Sequence, residues 1–162
     1  MNRLNLGCGK DYKEGYINID VRRDIKADLY IDLSVFPYPF DDSSIDKIYA
    51  IDVLEHISYW KQDMLFAEFS RILKSGGRLL IRCPDLDFIY HYYHSEDGEK
   101  STTLEHRHDE MMHYIFGGQD YPENTHLTSY TKALMEYKLK KYGFKIIELK
   151  EGIGMYVEAK RS

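Results

Sequence analysis

Arg3-Leu4-Asn5-Leu6-Gly7-Cys8-Gly9, followed by Gly15-Tyr16-Ile17-Asn18-Ile19-Asp20, decides the reading of the whole chain. The first stretch alternates with leucine inward and stops at a glycine turn, which is the pattern of a short buried strand. The second, Tyr16 to Asp20, is another short strand ending on an acid. Only nine residues, Gly7 to Gly15, lie between them. A parallel crossover usually takes about a dozen residues or more, with a helix. Nine extended residues reach about 30 Å, just enough to return along a strand of ~17 Å. The first crossover is therefore expected to be a loop or a single turn.

Working outward, Leu29 to Leu33 reads as a third strand and Ile45 to Ile51 as a fourth. The two prolines and the Asp/Ser cluster between Val35 and Ser44 forbid a long helix there. From Trp60 to Lys74 the period changes: Met64, Leu65, Phe69, Ile72 and Leu73 fall on one helical face, and Ser75-Gly76-Gly77 stops it. Arg78 to Cys83 is a fifth strand, ended by Pro84. Tyr90 to Thr128 is irregular and rich in tyrosine and histidine, with a helix from about Leu104 to Ile115. Thr131 to Tyr142 is a further helix, capped by Gly143, and Phe144–Leu149 with Met155–Lys160 form two strands around Gly152-Ile153-Gly154.

This order predicts an α/β fold: a Rossmann-like three-layer sandwich with a mostly parallel seven-stranded sheet, one antiparallel C-terminal edge strand and reduced N-terminal helices. At 162 residues the chain is read as one domain, 1–162, with 88–128 as a lid or insert. With hydrophobic residues at 43% and charged residues at 30%, disorder, collagen and coiled coil are excluded. No apolar run is long enough to span a bilayer, and Met1-Asn2-Arg3 leads straight into the first strand, so no membrane and no secretory leader are expected. Two cysteines, Cys8 and Cys83, make no disulfide framework, which suits a reducing, cytoplasmic setting. A net charge of −5 argues against nucleic acid as a partner.

In parallel sheets ligands bind beyond the carboxyl ends of the strands. Gly7-Cys8-Gly9, Asp20, Asp32-Leu33 and Ile51-Asp52 all fall there. The glycines let backbone approach a ligand, and a carboxylate at Asp20 can accept both hydroxyls of a ribose. Asp32 suits the exocyclic amine of an adenine, with Leu33 against the ring. In this order they spell adenosine. His56, just past the fourth strand, has an ordinary pKa suited to removing a proton at neutral pH, with Glu55 beside it. His126 is the second candidate, in the loop Tyr121 to His126 beyond Gly117-Gly118-Gln119. Tyr90, Tyr92, Tyr93 and Tyr114 are candidates for an acceptor floor. No histidine spacing resembles a zinc site, and no metal is expected.

Leu4 to Gly9, Gly15 to Asp20, Asp32-Leu33, Asp42 to Ile48, Val53-Leu54-Glu55-His56-Ile57 and Glu68 to Gly77 together resemble a class I S-adenosylmethionine-dependent methyltransferase. Ile115 to Gln119, His126 and the helix ending at Gly143-Phe144 are similar to a small subgroup associated with surface-sugar biosynthesis. The resemblance implies S-adenosyl-L-methionine as cofactor and a small-molecule or sugar acceptor. It implies Gly7, Cys8 and Gly9 beside the methionine moiety, Asp20 on the ribose, Val21 on the adenine, Asp32 on the amine, the Leu33 amide on a ring nitrogen and the Ile51 backbone near the methionine. Lys10-Asp11 stand where a third glycine is usual, and Ile51 where many relatives have a polar residue. The lost glycine also speaks against a nicotinamide enzyme, which needs the fuller Gly-x-Gly-x-x-Gly loop. The alternative is a catalytically inactive S-adenosylmethionine-binding sensor or partner subunit. With few helices on one face of the sheet, that face is expected to be covered by the insert or by a second copy in a homo-oligomer.

Overall fold

Leu4 and Leu6 point into the core while Asn5 points the other way, and this alternation sets the first strand, β1 (Arg3–Leu6). The computed structural model describes residues 2–95 and 103–162. Part of the expected lid, 96–102, lies outside the described residues. β1 pairs in parallel with β2 (Ile17–Asp20) and β4 (Ile45–Ile51), and β2 with the two-residue β3 (Leu29–Tyr30). β5 (Leu73–Pro84) lies parallel to β4, followed by β7 (Gly154–Arg161) and β6 (Phe144–Lys150). The sheet order is β3-β2-β1-β4-β5-β7-β6. Among the described strands β7 runs opposite to the other six, as expected of a final hairpin; it lies one place in from the edge, which β6 occupies.

Helix α1 (Gln62–Ile72) is shorter than the periodicity indicated, because a short 3₁₀ turn, Tyr59–Lys61, precedes it. Ser75-Gly76-Gly77 does not stop a helix but extends β5, with an irregular register opposite Ile45 and Lys47. A Cβ at Gly77 would meet the Lys74 carbonyl at 2.9 Å, so close backbone approach explains the glycine. α2 (Leu86–Tyr93), capped by the Asp85 carboxylate, was not anticipated. α3 (Leu104–Phe116) and α4 (Lys132–Lys141) fall where expected. Leu65, Phe66, Phe69 and Ile72 of α1 and Met135 and Leu139 of α4 bury against the sheet, and Phe66 stacks on Tyr142.

The first crossover is a loop, held by two buried asparagines in place of a helix. The Asn5 side-chain amide donates to the Asp11 carbonyl at 2.8 Å and to Asn18 Oδ1 at 2.9 Å. Asn18 Oδ1 also accepts from the Lys13 amide, and Asn18 Nδ2 donates to the Lys13 and Tyr16 carbonyls. The loop thus lies over the sheet face opposite α1 and α4, where Tyr16 meets Tyr49 edge-on at 5.5 Å and Lys13 and Lys47 approach the Tyr49 ring. Further along the same face Arg78 pairs with Glu158. The outward strand positions of this thinly covered face carry Lys47, Tyr49, Arg78 and Glu158 beside Ile51 and Leu80, so it is more polar than the sequence pattern implied.

Candidate functional site

The turn after β1 takes left-handed backbone at both Gly7 (φ 57°) and Gly9 (φ 49°). A Cβ at Gly7 would meet Val53 Cγ2 at 2.7 Å, so only glycine fits beside the chain leaving β4. The turn presents the Gly9 amide, which donates to Asp20 Oδ2 at 2.9 Å, while the Arg22 amide donates to Oδ1 at 3.0 Å. The Asp20 carboxylate is only 8% exposed and is aimed by these two amides. Each oxygen keeps a further acceptor position.

These residues border a cleft of about 440 Å³ at the carboxyl rim of the sheet. Gly7, Gly9, Asp20, Val21, Asp32, Leu33 and His56 all line it. Asp32 Oδ1 accepts the Ser34 amide at 2.8 Å, and the Leu33 carbonyl is held by the Tyr38 hydroxyl at 2.8 Å. Tyr38 is fixed in turn through its own amide on Glu68, so α1 positions the Asp32 loop. Three expected residues are not in the lining. Cys8 is buried beneath the turn, its amide on the Ile19 carbonyl at 2.9 Å. Ile51 is half-buried, and the chain turns at Asp52 (φ 54°), so Asp52 and Val53 meet the cleft in its stead. His126 stands behind His56.

Asp52, placed at the rim by the sequence but given no role there, lines the cleft, and sequence reasoning missed Lys61, Arg22 and Tyr121 as lining residues. Asp52 pairs with Arg82, and Lys61 Nζ donates to the Ser34 carbonyl at 2.8 Å. Arg22 is paired with Asp24 and lies 4.4 Å over the Tyr121 ring, tying the insert to the end of β2. A basic residue after the acid of β2 and a tyrosine before Pro122 were visible in the sequence, but nothing there pairs them. The tyrosine floor is corrected: Tyr92, Tyr93 and Tyr114 border a small separate cavity with Ile89 and Arg107, and Tyr90 is exposed. They serve the α2–α3 contact, and Tyr121 is the tyrosine that reaches the cleft.

At the other end the short 3₁₀ turn Leu54–His56 places Glu55 and His56. The Glu55 carbonyl accepts the amides of Leu127 and Thr128, at 2.7 and 3.2 Å, which brings the far loop down onto this turn. His56 Nδ1 bonds the Thr125 carbonyl at 3.2 Å and His126 Nδ1 the Tyr114 carbonyl at 2.9 Å. The two rings meet edge-on with centroids 4.9 Å apart. Burial holds both imidazoles below their usual pKa, and both are neutral at pH 7. Burial also pushes the Glu55 carboxyl up to about 8.

The strand order and the rim cleft, with a carboxylate at the end of β2, define a Rossmann-like fold that holds a nucleotide-type ligand. The chain matches the family described as "Methyltransferase domain" over residues 4–149 and belongs to that family. An uncharacterized protein of Methanocaldococcus jannaschii is 32% identical over 89 residues, 48% of this chain and only 38% of that protein. Among solved structures, a SAM-dependent methyltransferase of Methanosarcina mazei superposes with a TM-score of 0.64 at 18% identity, covering 99% of this chain and 92% of that one. The 1,6-didemethyltoxoflavin-N1-methyltransferase of Burkholderia thailandensis, with 1,6-didemethyltoxoflavin and S-adenosylhomocysteine bound, gives 0.57 at 10% identity over 99% and 70% of the two chains. Among the described residues no helix is long and apolar enough to cross a membrane.

Proposed function

We propose that this methyltransferase takes S-adenosylmethionine in the rim cleft and transfers its methyl group to a small-molecule or sugar acceptor. The observation that carries this reading is the Asp20 carboxylate, aimed by the Gly9 and Arg22 amides into a cleft that also holds Asp32 and Leu33. Asp20 holds the ribose hydroxyls, Val21 and Leu33 sandwich the adenine, and Gly7 and Gly9 leave room for the amino-acid end. His56 lines the same cleft.

In transfer, a lone pair of the acceptor forms a bond to the methyl carbon while the carbon–sulfur bond breaks and its electrons return to sulfur. The product S-adenosylhomocysteine is a neutral thioether at that sulfur. The electrophile is activated by the cofactor, so the chain's task is to align the acceptor and exclude water. A hydroxyl acceptor also loses a proton. A backbone carbonyl only accepts hydrogen bonds, so Nδ1 of His56 carries the ring proton and Nε2 keeps a lone pair. That lone pair, on a residue lining the cleft, is the base assigned to the proton in this reading. The insert supplies Tyr121, Glu123 and Leu127 as a partial cover.

Calorimetry with S-adenosylmethionine and S-adenosylhomocysteine tests the reading. Micromolar binding by the wild type that is lost in Asp20→Ala is the expected result. A folded wild type that binds neither ligand overturns it.

A further inference from the structure

Glu55, His56 and His126 converge at the end of the cleft away from Asp20, and each offers a ligand atom within 4.8 Å of the other two. The first two sit on one turn and the third comes from a loop seventy positions on, held there by the amide bonds of Leu127 and Thr128 to the Glu55 carbonyl. Such convergence of two imidazoles and one carboxylate is the donor set of a facial metal triad with open positions.

Two independent features point to a ligand. Both histidines donate Nδ1–H to a backbone carbonyl, Thr125 for one and Tyr114 for the other. That bond fixes the tautomer and leaves Nε2 as the free lone pair, the arrangement that orients metal-bound histidine. Glu55 is 1% exposed, and its Oε2 is buried without a hydrogen-bond partner among the described residues. Buried carboxyl oxygens are rarely left so, and an unpartnered one calls for an explanation such as an ion.

We propose that Glu55, His56 and His126 form a divalent-metal site at the acceptor end of the cleft. Two nitrogen donors favour a transition metal such as zinc or iron(II) over magnesium, calcium or manganese, which prefer oxygen. Three protein ligands leave open positions, and His56, which lines the cleft, puts the site at the cleft wall. The acceptor class that fits carries two neighbouring oxygens, as in a vicinal diol or a 2-hydroxy acid, held by both to the metal. This part rests on the methyltransferase reading; the metal site itself does not. The bound hydroxyl gives up its proton to solvent, its oxygen forms the bond to the methyl carbon, and the carbon–sulfur electrons return to sulfur as before. The histidines then serve as ligands, and their Nε2 lone pairs are no longer available to take that proton.

The test is a cobalt(II) titration of chelator-treated protein, followed in visible absorbance, with competition by zinc and manganese. One equivalent per chain is expected. Glu55→Gln and His126→Ala each weaken it at least about tenfold, while His106→Ala, on the exposed face of α3, leaves it unchanged. S-adenosylhomocysteine binding within twofold of wild type in the same variants shows that they are folded. No saturable equivalent, or one that survives both variants, overturns the site. If cobalt binds as expected but S-adenosylhomocysteine does not bind the wild type, the cofactor reading fails and the metal site stands. Catechol added to the cobalt protein shifts its bands; bands unmoved by both catechol and a 2-hydroxy acid overturn the acceptor class.

Discussion

The two ends of the cleft are built by different means. At the Asp20 end each group sits where a strand stops, and backbone amides of the next few residues or of the neighbouring turn aim it. At the Glu55 end nothing is complete without the loop that carries His126, which arrives from the far side of α2 and α3. The first end is a property of the sheet. The second is a property of the insert docking on a 3₁₀ turn. On the proposed function, the cofactor end can therefore stay fixed while the end built by the later loop changes.

The largest expected effect separates the ends cleanly. His56→Ala should lower turnover by roughly 10²-fold or more, the range for loss of a group that acts on the acceptor hydroxyl as base or as metal ligand. Affinity for S-adenosylhomocysteine should stay within a fewfold, as seen by calorimetry. A parallel fall in both would mean that the two ends act as one unit. Asp20→Ala should do the converse. Losing a charged acceptor of hydrogen bonds costs about 3 kcal/mol, or about 100-fold in cofactor affinity. The cobalt titration of this variant should be unaltered.

Asn18→Ala sharpens the first half of the comparison. It removes bonds to the Lys13 amide and to the Lys13 and Tyr16 carbonyls, which hold the loop that replaces a helix, and also those to Asn5 on β1 and to the Asp28 carboxylate. Unfolding in denaturant should show a loss of about 2 kcal/mol, the cost of leaving buried polar partners unsatisfied. Cofactor affinity should fall by less than in Asp20→Ala, because Gly9 is held to Asp20 directly. An unchanged stability would show that the loop is held by something other than these asparagines.

The same division explains what was legible in the sequence. Strand alternation and glycine turns are local, so the seven strands and the rim positions of Gly7, Gly9, Asp20, Asp32 and Leu33 could be placed from spacing alone. β3 was overdrawn, because Asp32 turns its side chain onto the Ser34 amide and ends the pairing early. Ile51 was placed in the cleft because the sequence does not show that Asp52 adopts positive φ. The tyrosines of 90–114 were misplaced because their helix-on-helix packing depends on where the insert folds back. Glu55 looked like a partner for His56, but its burial follows from a loop seventy residues away. Pairing of distant polar residues leaves no periodicity to read.

The smallest effect bears on whether the acceptor end depends on the helix that follows it. Asp63, in the first turn of α1, accepts from Lys138 and from Lys141 at 2.9 Å on α4. These bonds hold its carboxyl down to about 2, below the ordinary carboxylate range. A depressed pKa contributes stability above the unfolded value near pH 4, and the contribution is lost as pH falls toward 2. The carboxylate is half exposed, and solvent screens the pair, so Asp63→Asn should cost no more than about 0.5 kcal/mol at neutral pH. The difference from wild type should vanish in melts run near pH 2. The substitution leaves Glu55 and His56 untouched, and the turn that carries them is fixed instead by Gln62, whose amide donates to the Leu54 and Ile57 carbonyls at 3.0 and 2.6 Å. Cobalt affinity should therefore not move. A shift there would place the metal end under the control of α1–α4 packing as well as of the insert.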